Sequence, residues 1–312
     1  MTDAPPPRIA LLLATYNGAA NLEAQLESFA AQTLRPTWLV VSDDGSTDAT
    51  RALLAAFAAR HPWLALRLVE GPCRGSAQNF LHLLGQVPPE ADMAALSDQD
   101  DVWLPEKLAR GAAAMADLPA DLPVLYGGSS WICDAELGNR RPYPLPVRPP
   151  GFRHALVQNI AGGNTMMLNR GAIALLAAAS REPERIVVHD WWIYQIVSGA
   201  GGRVIFDPVP LLLYRQHGGN LIGANDGFRA KYRRLRMLLS GGFRQWNAIN
   251  IRALSASAHR FTPENRRLLA EFEALRRAGP WGRLRQLKRI GLYRQGLPGR
   301  LSLWLAAVLG RI

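Results

Sequence analysis

The segment 98–101 carries the residues whose types and spacing most directly suggest chemistry. Asp98, Asp100 and Asp101 follow an apolar run at 93–96 that has the composition of a buried strand. Carboxylates this close raise one another's pKa unless a cation or hydrogen-bond donors hold them. Two acids separated by one residue can also present oxygens together to Mg²⁺ or Mn²⁺. A helix cap would need fewer acids, so the pattern favours a divalent metal site, with capping as the alternative.

A second acidic pair, Asp43 and Asp44, follows the apolar run at 38–42. Turn formation and helix capping by Ser46 or Asp48 would explain one or two polar residues here. Those roles do not explain why two adjacent acids come directly after a buried strand. We therefore interpret Asp43 and Asp44 as candidate hydrogen-bond acceptors for the polar edge of a base or a ribose, and a structural turn remains the alternative.

The elements that must position these acids follow an α/β pattern. Apolar runs at 9–14, 38–42, 64–69 and 93–96 alternate with helical patterns. This alternation predicts βαβ units and a mostly parallel central sheet that is covered by helices on both faces. Ligands bind at the carboxyl ends of the strands in such sheets. The acids should therefore converge on one cleft at that edge.

The pattern becomes mixed after about residue 121. Short strands are predicted there among helices, at 124–127, 131–133, 165–168, 203–206 and 211–214. From residue 228 onward only helical patterns remain, rich in Arg and Leu. We expect a C-terminal helical basic extension to follow the α/β part of the chain.

Charge is distributed unevenly along the chain. Residues 229–312 carry 19 Lys and Arg against 3 Asp and Glu, whereas residues 1–228 carry 17 against 22. Such asymmetry suggests a partner with negative charge, either an anionic bilayer or a nucleic acid. No nucleic-acid recognition module is visible. We predict that the basic helices contact an anionic membrane surface, and packing of these helices on the core is the alternative.

Three further features of the sequence bear on where the protein works. No apolar run approaches the length of about 18 residues that a membrane span needs. The first residues lack the pattern of a signal peptide, and the two cysteines are too few for a disulfide framework. We expect a cytoplasmic protein that is peripheral on the inner face of the cell membrane.

Three segments together resemble the motifs of glycosyltransferase family 2. They are 14–18 (ATYNG) after the first strand, 42–48 (SDDGSTD) after the second, and 97–103 (SDQDDVW), which is similar to the family's Asp-X-Asp motif. The resemblance implies the GT-A fold of nucleotide-diphospho-sugar transferases. It looks closest to the bacterial rhamnosyltransferases of surface polysaccharide assembly.

The resemblance covers roughly residues 8–225 and implies a division of the chain. The GT-A catalytic domain would consist of a nucleotide-binding half and an acceptor half. A short disordered lead would precede it and the basic helices would follow it. The predicted boundaries are 1–7 for the lead, 8–120 and 121–225 for the two halves, and 226–312 for the extension.

The resemblance also implies roles for single residues. Contacts to the nucleotide-sugar are implied for Thr15, Asn17, Asp43, Asp44, Asp98 and Arg215. Metal ligation is implied for Asp100 and is open for His217, since a lone histidine is more often structural. Gly163 and Asn164, in the segment GGNT, would line the acceptor pocket, and an ordinary turn before a strand is the alternative. The implied cofactor is Mn²⁺ or Mg²⁺.

The segment 188–192 (VHDWW) looks like the start of the family's base-bearing helix, which gives Asp190 the role of general base. An acceptor hydroxyl must lose its proton as it attacks, so a carboxylate within hydrogen-bond reach is needed. Trp191 and Trp192 could raise the pKa of Asp190 by desolvation and offer a face to a sugar ring. An N-cap aspartate beside two core tryptophans is the alternative.

The function implied by the resemblance is transfer of a single sugar from a nucleotide-diphosphate donor, dTDP- or UDP-linked, to a saccharide or lipid-linked hydroxyl acceptor. It also implies inversion at the anomeric carbon and dependence on a metal. One rival is a sugar-nucleotide nucleotidyltransferase, which would want a glycine-rich loop with a basic residue at 15–18. Another is a non-catalytic, membrane-associated nucleotide-sugar-binding module, which would be expected to have lost acids at 98, 100 or 190.

Overall fold

The computed structural model describes residues 5–216 and 241–312, which form a nine-stranded mixed sheet flanked by helices. The strands are β1 (Ile9–Thr15), β2 (Trp38–Asp43), β3 (Ala65–Glu70), β4 (Met93–Ser97), β5 (Val102–Trp103), β6 (Val124–Cys133), β7 (Arg141–Pro142), β8 (Met167–Asn169) and β9 (Arg203–Arg215). The helices before the gap are α1 (Ala19–Ala30), α2 (Thr50–Arg60), α3 (Ser76–Leu84), α4 (Lys107–Met115), α5 (Phe152–Ala155), α6 (Arg170–Ala179) and α7 (His189–Gly199). Those after it are α8 (Gly242–Ala256), α9 (Pro263–Arg277), α10 (Pro280–Ile290) and α11 (Gly296–Val308).

The first half of the sheet is parallel, as the alternation of strands and helices predicts. The spatial order of the sheet is β3-β2-β1-β4-β8-β6-β9-β5, with β7 paired to β6. The pairings of β1 with β2, β1 with β4 and β2 with β3 are all parallel. In register, Thr15 lies beside Asp43 and Leu13 beside Ser97. The polar segments that follow β1, β2 and β4 therefore leave the sheet at the same edge.

The buried strands carry apolar side chains on both faces. Along β1, Leu12 belongs to one hydrophobic core, whereas Leu11 and Leu13 belong to a second core on the opposite face. Successive side chains of a strand point to opposite faces of the sheet, so a strand covered on both sides is apolar throughout. The two cores fix the positions of β1, β2 and β4 within the sheet. The loops at the carboxyl ends of these strands are thereby also fixed in position.

The second half of the sheet differs from the sequence prediction in strand number. Strand β8 is antiparallel to both β4 and β6, whereas β6 and β9 are parallel. The runs at 124–127 and 131–133 belong to one strand, β6, and the runs at 203–206 and 211–214 belong to one strand, β9. Register shifts around Ser129 absorb the irregular sequence that suggested a break.

The C-terminal helices pack on the core through their inner faces. Ile251, Phe272, Leu287 and Leu303, one from each of α8 to α11, join the same hydrophobic cluster as Trp192 of α7. None of the helices in the described ranges is long and apolar enough to cross a bilayer. The predicted boundary at 225 and 226 lies outside the described residues, so the division into domains stays a prediction.

Candidate active site

The acidic loop between β4 and β5 is held from its protein side. Asp101 is fully buried, and its carboxylate accepts hydrogen bonds from the side-chain amide of Asn164 and from the backbone N–H of Arg215, the latter at 3.2 Å. The Arg215 guanidinium donates to the carbonyl of Asp100 at 2.9 Å and to the carbonyl of Ala135. Thus Arg215 holds the backbone of the acidic loop against β6 and β9.

The side chain of Asp98 faces other carboxylates rather than hydrogen-bond donors. Burial raises its pKa well above the ordinary value for an aspartate, and the neighbouring charges of Asp100, Asp101 and Asp190 raise it further. Burial likewise raises the pKa of Asp101 to about 8, with Asp100 adding to the rise and the bonds from Asn164 and Arg215 opposing it. The structure thus brings Asp190 of α7 close enough to the acidic loop for the charges to interact, although 89 residues or more separate them in sequence.

Asp190 lies in the first turn of α7. Burial raises its pKa to about 6, although hydrogen bonds from the backbone N–H groups of Trp191 and Gly163 and from the side chain of Asn159 hold the shift down. The bond from Trp191 measures 2.6 Å. A carboxylate with such a pKa is largely ionised near pH 7 and still basic enough to take a proton, which is what general base catalysis requires.

Gly163 and Asn164 lie between Asp190 and the acidic loop, and we call this surface the wall. The N–H of Gly163 bonds to Asp190, while Asn164 bonds to Asp101. A Cβ at position 163 would lie 2.2 Å from Nε2 of His189, so only glycine fits there. The His189 ring stacks on Phe80 with centroids 3.7 Å apart, and its burial lowers its pKa to about 3. It is therefore neutral and takes no part in the charge balance.

Asp43 shows the opposite environment. Its carboxylate is fully buried and accepts four hydrogen bonds: from the Thr15 hydroxyl (2.8 Å), from the N–H and hydroxyl of Ser46 (2.9 and 2.6 Å), and from Nε of Arg51 (2.9 Å). Burial alone would raise its pKa, but the bonds from Ser46, Thr15 and Arg51 lower it overall. Four donors use the acceptor capacity of an ionised carboxylate, so Asp43 holds the loops after β1 and β2 together.

Asp44 holds a third loop, the one between β3 and α3. Its two carboxylate oxygens accept from the backbone N–H groups of Cys73 (2.7 Å) and Gly75 (2.8 Å). One bond to each oxygen leaves acceptor capacity for a ligand. A Cβ on Gly71 would lie 2.7 Å from Asp44 Oδ1, so glycine is needed at that position. Only a small part of the Asp44 side chain is open to the surface.

Thr15 is the last residue of β1, and Asn17 follows it in the loop at the same edge of the sheet. Thr15 is buried and donates to Asp43. Asn17 is exposed and adopts a φ of +47°, and its side-chain oxygen accepts from the N–H of Thr47 at 2.8 Å. Between them, Tyr16 is 59% exposed. The loop thus offers the Asn17 side chain and the Tyr16 ring to solvent, whereas the backbone N–H groups of residues 16–18 are hydrogen-bonded within the protein.

The two tryptophans after Asp190 lie inside the protein. Trp192 is completely buried, and Trp191 is 4% exposed with its indole N–H bonded to the carbonyl of Ala155 at 2.6 Å. Neither ring presents a face to solvent in this structure. Any contribution of these residues to acceptor binding would act through the position and pKa of Asp190 rather than through contact with the sugar.

Two residues near the acids were missed by the sequence analysis. Gln99 bonds to the backbone of Tyr16 in both directions, and Lys107 lies under the acidic loop with Nζ 3.7 Å from the centroid of the Trp103 ring. Burial lowers the pKa of Lys107 to about 7, and the charge of Asp101 opposes that shift. No local pattern could single them out, because a glutamine between acids and a lysine in a first helical turn both look like exposed residues.

The carboxylates of the acidic loop fit a divalent cation whose remaining coordination positions are filled by a ligand. Within residues 5–216 and 241–312, no three His, Cys, Asp or Glu side chains are arranged to hold a metal ion on their own. Mg²⁺ sites commonly use one or two carboxylates, with water and phosphate oxygens filling the remaining positions. A cation near Asp98 and Asp100 would relieve the repulsion that raises the pKa of Asp98. The other predicted ligand, His217, lies outside the described residues.

The chain belongs to glycosyl transferase family 2, because the profile of that family matches residues 11–173, a little over half of the chain. Among named relatives, the dTDP-rhamnosyl transferase RfbG of Shigella flexneri is 28% identical over 242 residues, which are 75% of this chain and 81% of that protein. An uncharacterized glycosyltransferase of a Nostoc species is 31% identical over 103 residues, about a third of each chain. The chain is therefore a glycosyltransferase.

Solved structures show the same fold. The mannosyltransferase PcManGT of Pyrobaculum calidifontis, solved with GDP-Man and Mn²⁺, matches 99% of this chain and 88% of its own length with a TM-score of 0.51 and 20% identity. TarS 1–349 of S. aureus, solved with UDP, matches 86% of this chain and 71% of its own length with a TM-score of 0.54 and 16% identity. The chain spans 40% of the longer TarS structure. The predicted GT-A fold is confirmed.

Proposed function

We propose that this glycosyltransferase moves one sugar from a nucleotide-diphosphate donor to a hydroxyl acceptor, with inversion at the anomeric carbon, in the assembly of a bacterial surface polysaccharide. The observation that carries the proposal is the approach of Asp190 to Asp98 and the acidic loop. This approach supports a site in which a general base and the candidate metal ligands act on one substrate. Single displacement needs the base on one side of the reacting carbon and the metal, with the leaving group, on the other side.

Asp190 is the residue that would take the acceptor's proton. Its pKa of about 6 leaves it ionised at neutral pH, and the N–H of Gly163 and the amide of Asn159 hold the carboxylate in place. The acceptor would lie beside the wall of Gly163 and Asn164, whose position is fixed because the His189 ring fills the space that a Cβ at 163 would need. Attack by the deprotonated hydroxyl from this side displaces the nucleotide diphosphate on the other side.

Asp98 and Asp100 would hold Mn²⁺ or Mg²⁺, with His217 as a further candidate. When bound, such an ion neutralises charge on the departing diphosphate. The contribution of Asp101, Asn164 and Arg215 is to fix the backbone that presents Asp98 and Asp100. PcManGT, which shares the fold, was solved with Mn²⁺, and this supports the proposal of a metal.

The nucleotide would lie on the loops after β1 and β2. Asp44 retains acceptor capacity, and Asn17 and the Tyr16 ring are exposed beside it. Thr15 and Asp43 would act by holding these loops, since their side chains bond to each other inside the protein. The similarity to RfbG supports a dTDP-linked rhamnose donor, and TarS 1–349, solved with UDP-GlcNAc, supports UDP as the next choice.

A thermal-shift screen tests the proposal. Each of dTDP, UDP and GDP is added to the protein with Mn²⁺ or with excess EDTA, because a ligand that binds only the native state raises the melting temperature by mass action. We expect one nucleotide to raise it by several degrees with Mn²⁺ and by much less with EDTA. Transfer from the matching dTDP- or UDP-sugar should also stop in EDTA and return with Mn²⁺ or Mg²⁺.

Two outcomes of this screen would contradict parts of the proposal. Full transfer in excess EDTA would exclude the metal. Nucleotide binding with no transfer to any saccharide or lipid-linked acceptor would favour the non-catalytic binding module. Release of pyrophosphate from a nucleoside triphosphate and a sugar phosphate would instead identify a nucleotidyltransferase.

The proposal includes attachment to the inner face of the cell membrane through the outer face of α11. A row of four leucines at intervals of four residues is exposed there; we call it the leucine row, and it consists of Leu297, Leu301, Leu305 and Leu309. Arg283 of α10 bonds to the carbonyl of Val308 at 3.2 Å, so the start of α10, where Trp281 is 85% exposed, lies beside the end of the row.

Charge at this surface matches an anionic bilayer. Arg285, Lys288, Arg289 and Arg300 are exposed on α10 and α11, and neither helix contains an acid. An apolar face flanked by basic residues and an aromatic residue is typical of a helix that lies in a membrane interface. Each basic residue near an anionic surface adds about 1 kcal/mol. The inner faces of these helices remain packed on the core.

Sedimentation with vesicles tests this surface. The protein is mixed with vesicles of phosphatidylglycerol and phosphatidylcholine or of phosphatidylcholine alone, and we expect binding to the anionic vesicles only. The double substitution Leu301→Asp and Leu305→Asp should weaken binding about tenfold or more, whereas Leu68→Ser on the edge strand β3 serves as a matched exposed control. Equal binding of both variants would exclude the leucine row.

A further inference from the structure

Gln99, the residue between the two candidate metal ligands, forms a pair of hydrogen bonds with the loop that follows β1; we call this pair the two-way grip. Its side-chain oxygen accepts from the backbone N–H of Tyr16 at 2.9 Å, and its side-chain nitrogen donates to the carbonyl of Tyr16 at 3.0 Å. The two bonds join the donor and acceptor of one residue, as a neighbouring strand would. Residues 83 positions apart are thereby held in a fixed relation.

Gly18 makes this grip possible. A Cβ at position 18 would lie 2.2 Å from Oε1 and 2.5 Å from Cδ of Gln99, which is far inside van der Waals contact. The amide of Gln99 therefore lies flat against the backbone of the β1–α1 loop. Because a strand-like pair of bonds needs both partners at one distance, the loop cannot shift relative to Gln99 without breaking them.

Side chains of the acidic loop alternate in their surroundings. Gln99 bonds to the β1–α1 loop, whereas Asp101 bonds to Asn164 and to the N–H of Arg215. Asp98, which precedes both anchors in the chain, faces Asp100 and Asp190. The loop is thus held on one side by the predicted nucleotide-binding half and on the other side by the acceptor half.

We infer that Gln99 is a positioning residue that couples nucleotide binding to metal binding. This inference rests on the proposed function, since it concerns the same site. The β1–α1 loop contacts the nucleotide, and the acidic loop presents Asp98 and Asp100 to the metal. Gln99 sets the distance between them, so that a nucleotide diphosphate bound on one loop meets a metal held on the other. Coupling of this kind is reciprocal between the two ligands.

The experiment measures this coupling by titration calorimetry. The affinity of dTDP, and separately of UDP, is measured with and without Mn²⁺ for the wild type and for Gln99→Met, which keeps the length of the side chain and loses both bonds. For the nucleotide that binds, we expect the factor by which Mn²⁺ tightens binding to fall about tenfold in the variant. Gly18→Ala should have the same effect, because it displaces the Gln99 amide.

A third variant and a matched control separate positioning from general stability. Gln99→Glu can accept from the Tyr16 N–H but cannot donate to its carbonyl, so its coupling should lie between those of the wild type and Gln99→Met. Gln295 makes the same kind of two-way grip on Arg148, accepting from its N–H at 2.9 Å and donating to its carbonyl at 3.0 Å. Gln295→Met should leave the coupling unchanged.

The outcomes distinguish this inference from the function on which it rests. If wild type binds neither nucleotide, the proposed function fails and the inference fails with it. If wild type binds a nucleotide and Gln99→Met keeps the full effect of Mn²⁺, only the positioning role is overturned. If wild type binds a nucleotide equally with and without Mn²⁺, the metal part of the proposed function fails together with the positioning role. A drop in coupling with the melting temperature of the ligand-free protein unchanged supports it.

Discussion

The two acidic regions of the site look alike in sequence and differ in what surrounds them. After β2, Asp43 accepts four hydrogen bonds, and these lower its pKa against the effect of burial. After β4, burial and neighbouring carboxylates raise the pKa of Asp98, and burial raises that of Asp190 to about 6. The first region holds the protein together, whereas the second stores repulsion that a bound cation and a proton transfer would relieve.

Of these two acidic motifs, the one whose charges lack sufficient hydrogen-bond donors forms the candidate site. Asp43 has Arg51 beside it, and Arg51 also pairs with both carboxylate oxygens of Glu70 at 2.9 and 2.6 Å. Around Asp98, no described side chain supplies a hydrogen bond that lowers its pKa. Functional groups are often kept at such a cost to stability.

The largest effect is expected from removing the base. Asp190→Asn should lower the transfer rate about a thousandfold, because the amide cannot take the acceptor's proton. Nucleotide affinity measured by calorimetry should stay within about twofold. The melting temperature should rise, since a carboxylate whose pKa is raised to about 6 costs up to about 3 kcal/mol when ionised.

Two results would break this assignment. A variant that loses nucleotide binding but keeps turnover would show that Asp190 belongs to the donor site. A variant with normal transfer would show that the base lies elsewhere. Asp134→Asn, at a turn where Asp134 accepts from Gly138 and Asn139, provides a control for the chemical change itself.

The same Asp→Asn substitution in each region should have opposite effects on stability. Asp43→Asn places an amide N–H₂ opposite donors and leaves Arg51 without its buried partner, so the free energy of unfolding should fall by about 2 kcal/mol or more. Asp98→Asn removes a crowded charge, so the free energy of unfolding should rise. Urea unfolding of both variants without metal measures the two signs.

The comparison fails if both substitutions destabilise the protein equally. Mn²⁺ with nucleotide should also stabilise Asp43→Asn but not Asp98→Asn. Activity normalised to the folded fraction should remain measurable in Asp43→Asn and be lost in Asp98→Asn.

The smallest effect is the pH dependence of the base. With a pKa of about 6 for Asp190, kcat/KM should rise about tenfold per pH unit below pH 6 and level off above it. The sign for stability is opposite. A folded pKa above the unfolded value gives stability that is present below about pH 4 and is lost as the pH rises through 6.

The stability difference between Asp190→Asn and the wild type should therefore grow between about pH 4 and 6 and stay constant above. Thermal melts across this range measure it. A profile of kcat/KM that falls as the pH rises through 6 would mean that the group must be protonated to act. That result would assign Asp190 to acid rather than base catalysis.

Much of the fold could be predicted from the sequence. The strands at 9–14, 38–42 and 93–96 are those of β1, β2 and β4 to within one residue, because strands buried on both faces are apolar without interruption. The breaks predicted within β6 and β9 were wrong, since glycines and prolines in these strands are absorbed by register shifts. No local pattern reports whether an irregular stretch is paired on both sides.

The residues of the candidate site could be proposed from the sequence, but the surroundings of each side chain could not. Asp98, Asp100 and Asp190 were identified from motifs, and the structure brings Asp98 and Asp190 together. Trp191 and Trp192 were expected to offer ring faces, yet both are buried in the core. Helical spacing allows such side chains to point inward or outward, and only the packing of α7 against the C-terminal helices decides.

Apolar patterns and motifs along the chain were enough to predict the alternation of strands and helices in the first half, the edge of the sheet where polar residues gather, and the resemblance to glycosyl transferase family 2. Only the folded chain shows which acids are fully hydrogen-bonded, as Asp43 is, and which are crowded by other carboxylates, as Asp98 is. Asp44 finds its donors 29 and 31 residues away, and Gln99 finds Tyr16 83 residues away. The physical reason is that a hydrogen bond depends on distances in space, which neighbours along the chain do not specify.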